Sequence, residues 1–410
     1  YVIERLNQQE QKVQKNLNIY WINLFLVLIA ISAPWLGNLI SAHDLIKSYF
    51  SYFGISILAI ITLYYKTQNS DFKLNLSYFK LVLILFFIFG TCSIFWSNNF
   101  DFTLNKWLIW LTAFLSFIVA SNIHINTKNL IKLSWGLLLA GGTIAIIGIL
   151  QFLLDPFTLS QSAAPGSTFA NRNIAVQPLV LITPVFIFLL LSKYTQSIRV
   201  WILSVITSLI FIYLFYVSSR AAWLAILIQL ILIAAYFLNY KLNRYKWIDW
   251  NKNKRNATFF GLIISFIMCS LTSEGFVDIL NITGQDVFSI KDSFEYLETG
   301  VGSESNIESW RYEIWKTALN MIHASPIIGT GLGTYSHNLA NEGYASWLIN
   351  NTFRVHNDLL ELLVEIGLLG GVIFVLVIVM IISSIITILK NIKGELHLFF
   401  YLTLVMLSGS

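Results

Sequence analysis

Runs of apolar residues about as long as a bilayer core is thick recur along the whole chain, and they leave few folds open. They lie at about 20–40, 48–65, 79–96, 104–121, 130–153, 174–192, 200–217, 221–238, 257–273 and 367–389, with an incomplete one from about 396. A helix needs roughly 20 residues to cross the hydrocarbon, and in lipid the backbone satisfies itself only as a helix or a closed barrel. Unbroken stretches such as 81–90 and 371–389 lack the alternation of barrel strands. The expected fold is all-α: a polytopic transmembrane helical bundle of about 10–12 spans with a long helical extracytoplasmic loop. Charged residues make up only 11% of the chain, where soluble proteins carry about a quarter. The expected divisions are a cytoplasmic tail over 1–19, transmembrane helices 1–9 over 20–273, a loop domain over 274–366, and C-terminal transmembrane helices over 367–410, the last incomplete. The chain opens at Tyr1 and stops within or just after an apolar run, as a piece of a longer protein would. Cys92 and Cys269 both fall in apolar runs and read as packing residues, not a disulfide framework.

Orientation follows from the basic residues, which cytoplasmic loops carry in excess. The tail holds Arg5, Lys12 and Lys15. Every second connection after it is also basic: Lys66, Lys73 and Lys80; Lys128 and Lys132; Lys193 and Arg199; six lysines and arginines within 239–256; Lys390 and Lys393. This parity places the N-terminus in the cytoplasm and makes the net charge of +5 mainly an orientation signal. No nucleic-acid motif accompanies the basic loop, so nucleic acid is not an expected partner. The segment 274–365 carries Lys291, Arg311, Lys316 and Arg354 against thirteen acidic residues. Loops of that length are functional more often than not.

The unusual polar motifs all fall on outside segments. Gly166-Ser-Thr-Phe-Ala-Asn-Arg-Asn173 runs straight into an apolar helix. Asn171 and Asn173 can cap that helix, whose free N–H groups, with the charge of Arg172, suit a phosphate. An interfacial arginine reaching for water reads equally well. Ser218-Ser-Arg-Ala-Ala-Trp223 puts Arg220 at the hydrocarbon boundary, where an ionisable group is a functional hypothesis by default. Lipid headgroup binding is the plainer alternative. Ser305-Asn-Ile-Glu308 is a capping-box pattern. It opens a helix with Ile314, Ala318, Met321 and Ile322 on its apolar side and with Arg311 and Trp315 one turn apart. Pro326-Ile-Ile-Gly-Thr-Gly-Leu-Gly333 has the wrong spacing and setting for a dinucleotide loop and reads as a close-packing turn. In Val355-His-Asn-Asp-Leu-Leu-Glu361, Asn357 can cap a helix that continues into the span at 367–389. Arg354, Asp358, Glu361 and Glu365 form one stripe, and His356 stands at the helix entrance. His337 is a weaker candidate. No spacing reads as a metal site.

Taken together and in this order, these five segments resemble the O-antigen ligase and O-antigen polymerase superfamily of membrane glycosyltransferases, over about Gly166 to Gly371. The resemblance implies transfer of a glycan from a polyprenyl (undecaprenyl) pyrophosphate carrier to a glycan, lipid or protein acceptor at the outer face of the cytoplasmic (inner) membrane. This is the chemistry of lipopolysaccharide and cell-envelope polysaccharide biosynthesis, and it implies no metal or other cofactor. Carried over motif by motif, His356 and Arg220 would be catalytic. Arg172, Arg220 and Arg311, with Asn171 and Asn173, would hold the pyrophosphate. Asn357, Glu361 and Trp315 would support them. The side chains of Arg172, Arg220, Arg311 and His356 are then expected to line one outward-facing cavity. The superfamily also has a branch named for bicarbonate-type transport. That alternative calls for mid-span ionisable residues and matched broken helices, and the apolar runs nearly lack the former.

Overall fold

The computed structural model describes residues 19–35, 42–68, 77–123, 126–161, 164–239, 249–271, 305–341, 355 and 357–407. Among them the chain is α-helical, with two short 3-10 turns at Ser93–Phe95 and Ser167–Phe169. The helices in order are α1 (Ile19–Ile31), α2 (Ala42–Gln68), α3 (Tyr78–Cys92), α4 (Phe100–Ser121), α5 (Thr127–Leu153), α6 (Arg172–Leu191), α7 (Ile198–Val217), α8 (Arg220–Asn239), α9 (Lys252–Leu271), α10 (Ser305–Ala324), α11 (Tyr335–Asn341), α12 (Asp358–Asn391) and α13 (Glu395–Leu407). Eight of these are long and apolar enough to cross a membrane: α2 to α8, α3 with its 3-10 turn, and α12. The chain is therefore a polytopic membrane protein. α1 and α13 are shorter apolar helices, and α9 opens on Lys252, Lys254 and Arg255. The spans expected at 20–40 and 257–273 are thus met only in part, since 36–41 and 272–304 lie outside the described residues.

The chain divides into two compact units. One comprises residues 1–54, 122–299 and 385–410, the other residues 55–121 and 300–384. In the first, α5, α6 and α7 form the centre, with 56%, 56% and 61% of their spans buried, against 28% for α8. Gly142 and Gly148 let α5 and α7 approach closely: a Cβ on either would meet Ile206 or the Tyr213 ring inside 3 Å. Small residues at such contacts are the usual device for packing helices in lipid. Pro184 interrupts α6 and has no N–H to offer Val180. Gln229 of α8 supplies the missing donor, its Nε2 lying 3.1 Å from the Val180 oxygen.

The connections of this unit gather at two ends, as alternating spans require. At one end Tyr213 Oη donates to Pro165 O and Thr168 Oγ1 donates to Ala30 O, both at 2.7 Å. At the other, the fully buried Lys254 donates to Ser192 O at 2.7 Å and faces Asp249 at 3.4 Å. There Glu395 accepts from Ser192 Oγ and from the Lys193 N–H.

In the second unit, α12 is broken at Gly367 (φ 65°, ψ −172°). The break removes the helical bonds from the N–H groups of 368 and 369 to the carbonyls of 364 and 365. Residues 326–331 insert and restore all four groups. Leu368 and Leu369 donate to Pro326 O and Ile327 O, and Thr330 and Gly331 donate to Val364 O and Glu365 O, at 2.8 to 3.1 Å. Buried backbone groups must find partners, so the two glycine-bearing motifs complete one another as a clasp.

Candidate functional site

In the first unit the segment 164–173 is held residue by residue. Pro165 O accepts from Tyr213. The Gly166 N–H donates to Gln161 Oε1 at 2.6 Å, and Ser167 Oγ donates to Ile144 O at 2.8 Å. Gln151 Nε2 donates to Ser167 O at 3.1 Å. Gly166 is obligatory, because a Cβ there would lie 2.5 Å from the Ala170 carbonyl carbon. The buried Lys47 donates to Thr168 Oγ1 at 3.0 Å, to Ile29 O at 2.9 Å and to Ser32 O at 2.7 Å. Its Nζ also sits 4.2 Å from the Phe169 ring centroid. The turn delivers Asn171 as N-cap of α6, its Oδ1 accepting from the Asn173 N–H at 2.9 Å. Asn173 itself is an exposed helical residue, and the cap is Asn171 alone.

Arg172 is the first residue of α6, and Arg220 is the first of α8. The helix α7 runs back between them, so α6 and α8 point the same way. The bond from Gln229 to Val180 fixes their register: Val180 stands eight residues into α6 from Arg172, and Gln229 nine into α8 from Arg220. At about 1.5 Å rise per residue, the two arginines start at nearly the same level, on neighbouring axes about 8–10 Å apart. Both are half-buried. Two helix N-termini and two arginines thus share one end of this unit, an arrangement suited to an anion with several oxygens.

In the second unit Asn357 caps α12, its Oδ1 accepting from the Leu360 N–H at 3.1 Å. Glu361 faces Lys106 of α4 across 2.9 Å through Oε1, and its Oε2 accepts from the Val355 N–H at 3.4 Å. Trp315 Nε1 donates to Val355 O at 3.2 Å. Ile314, Ala318 and Met321 of α10 are buried with Tyr335, Leu339, Val355 and Val364, and Ile322 packs against them. The polar stripe does not stay in water at its far end: Glu365 is 3% exposed and accepts from the backbone N–H groups of Gly333 and Tyr335. His337 is half-buried with its ring 5.9 Å from that of Phe102.

The arginine pair Arg172 and Arg220 belongs to one unit, and Asn357, Glu361 and Trp315 to the other. Arg311 lies in α10 with its side chain outside the described residues, as do His356 and Arg354 entirely. Among the described residues no group of His, Cys, Asp and Glu is placed to hold a metal ion. Sequence reasoning passed over Lys47 and Lys106. Both sit at span ends that the charge parity assigns to the outside, where lysine is least expected, and that exception was the available signal.

Comparison with known proteins adds two findings. Residues 203–375 match the family described as O-Antigen ligase. The chain is also similar to the ComP-specific O-oligosaccharyltransferase of Acinetobacter baylyi (strain ATCC 33305 / BD413 / ADP1), with 24% identity over 389 residues. That match takes in 92% of this chain, which spans 64% of the length of the relative.

Proposed function

We propose that the chain, whose residues 203–375 match the family described as O-Antigen ligase, is a membrane glycosyltransferase moving a glycan from a polyprenyl-pyrophosphate carrier to an acceptor hydroxyl at the extracytoplasmic face. The observation that carries this reading is the pairing of Arg172 and Arg220 at the level starts of α6 and α8. As the acceptor oxygen bonds to the anomeric carbon, the bond from that carbon to the carrier phosphate breaks and negative charge grows on the departing pyrophosphate. Guanidinium groups and helix N-termini already in place stabilise that charge without reorganisation. Arg311 would add a third cation. His356 would accept the proton from the acceptor hydroxyl, work suited to an imidazole near neutral pH.

The basic-loop parity supports a cytoplasmic N-terminus in the inner membrane, with this site outside. The relative's name, an O-oligosaccharyltransferase, supports transfer of an oligosaccharide to oxygen. A transport path would call for ionisable residues in mid-span, which the apolar runs nearly lack.

The test is a transfer assay with purified full-length protein, a polyprenyl-pyrophosphate glycan and an envelope acceptor fraction. Wild type should release glycan from the carrier, and well-folded Arg220→Ala and His356→Ala should lose at least about a hundredfold in rate. A ladder of products would mark a polymerase and a single addition a ligase. Undiminished transfer by both variants would refute the assignment.

A further inference from the structure

The chemistry proposed above leaves one ion pair without a task. Lys106 stands in the second turn of α4, its stem packed so tightly on the 331–335 turn that a Cβ on Gly333 would meet its own Cβ at 2.7 Å. Its ammonium reaches Glu361 Oε1 at 2.9 Å, with side-chain exposures of 30% and 12%. At the outer end of α4, where the charge parity leaves lysine unexpected, so largely shielded a pair calls for a reason. The second oxygen of Glu361 supplies the reason. Oε2 accepts the Val355 N–H, while Trp315 holds the Val355 carbonyl. On the far side, Asn357 O accepts the Glu361 N–H and Asn357 Oδ1 that of Leu360. The residues before and after His356 are therefore both tied down, and Glu361 takes part on each side.

We propose that Lys106 is a positioning residue for glycan transfer, acting through Glu361 on the Val355 peptide and so on the backbone that carries His356. The inference rests on the role given to His356 above. A glutamate side chain has several rotamers open to it, and the 3.4 Å bond to Val355 is too long to select one unaided. The ion pair makes the selection. Lys106 also faces Glu365, one turn further along α12 and almost fully buried.

The experiment is a kinetic comparison of wild type, Lys106→Met, Lys106→Arg, Glu361→Gln and the Lys106→Met/Glu361→Gln double variant, each checked by thermal unfolding in detergent. Lys106→Met should lower kcat about tenfold or more, while KM for the carrier-linked glycan stays within about twofold, because orientation acts on the chemical step. Lys106→Arg should recover most of the rate. The double variant should be no slower than the slower single variant, as expected for two residues acting as one unit. Wild-type kcat in Lys106→Met, a change confined to KM, or losses that multiply in the double variant would each overturn the inference while leaving the transferase assignment standing. Absence of transfer by the wild type would overturn the role of His356 and this inference with it.

Discussion

The segment 164–173 of the first unit and the clasp 326–331/364–369 of the second are both compact turns at helix ends, yet they are held in opposite ways. In the first, side chains from several elements hold the turn: Tyr213, Gln151 and Gln161 bind its backbone, Lys47 binds the Thr168 hydroxyl, and Ser167 and Thr168 reach out. In the second, backbone binds backbone through four N–H to carbonyl bonds, and glycines make the approach possible. A turn held by side chains can be loosened one contact at a time. One held by backbone tolerates loss of side chains and fails when a side chain is added.

That contrast orders the expected effects. Gly367→Ala should do the most damage, since the residue sits at φ 65° and a Cβ would lie 2.4 Å from the Ile327 oxygen. A cost of about 3 kcal/mol is expected from strain at such a position, read as a large fall in the unfolding midpoint in detergent; an unchanged midpoint would mean the clasp is not what holds α12. Lys47→Met comes next. It removes the donor to Ile29 O, Ser32 O and Thr168 Oγ1 within a buried site, at about 2 kcal/mol for partners left poorly satisfied. The same measurement would show whether the first turn depends on side chains as argued. The smallest effect belongs to Thr330→Val. Its hydroxyl meets Thr334 Oγ1 at 2.8 Å, but its N–H keeps the bond to Val364 O. Less than about 1 kcal/mol should be lost, and a larger loss would erase the distinction between the two turns.

Much of this was legible in sequence because membrane folding leaves simple marks. The apolar runs predict α2 to α8 and α12, and the cap at Asn357 and the apolar side of α10 follow from local rules that tertiary packing did not override. The arginines at 172 and 220 stood out because charge at a hydrocarbon boundary is costly. The inward turn of Glu365 was not legible: helical spacing puts it on the stripe of Glu361, and only the 331–335 turn, distant in sequence, draws it into the protein. Nor was the clasp. Gly329 to Gly333 and Gly367 each signal a turn, but that one turn fills the hydrogen bonds broken by the other is a relation between segments that spacing does not encode. The register of α6 against α8 was hidden likewise, since it hangs on Pro184 and Gln229, which lie 45 positions apart in the chain.

The central claim is that Arg172 and Arg220 form one pyrophosphate site, and the most direct measurement is binding of polyprenyl pyrophosphate to purified protein in detergent. Wild type, Arg172→Gln, Arg220→Gln and the double variant would be titrated at fixed ionic strength. Each single substitution should weaken binding about tenfold or more, as for a charge-assisted contact, and inorganic pyrophosphate should compete with the carrier. Carrier affinity unchanged in the double variant would contradict the site.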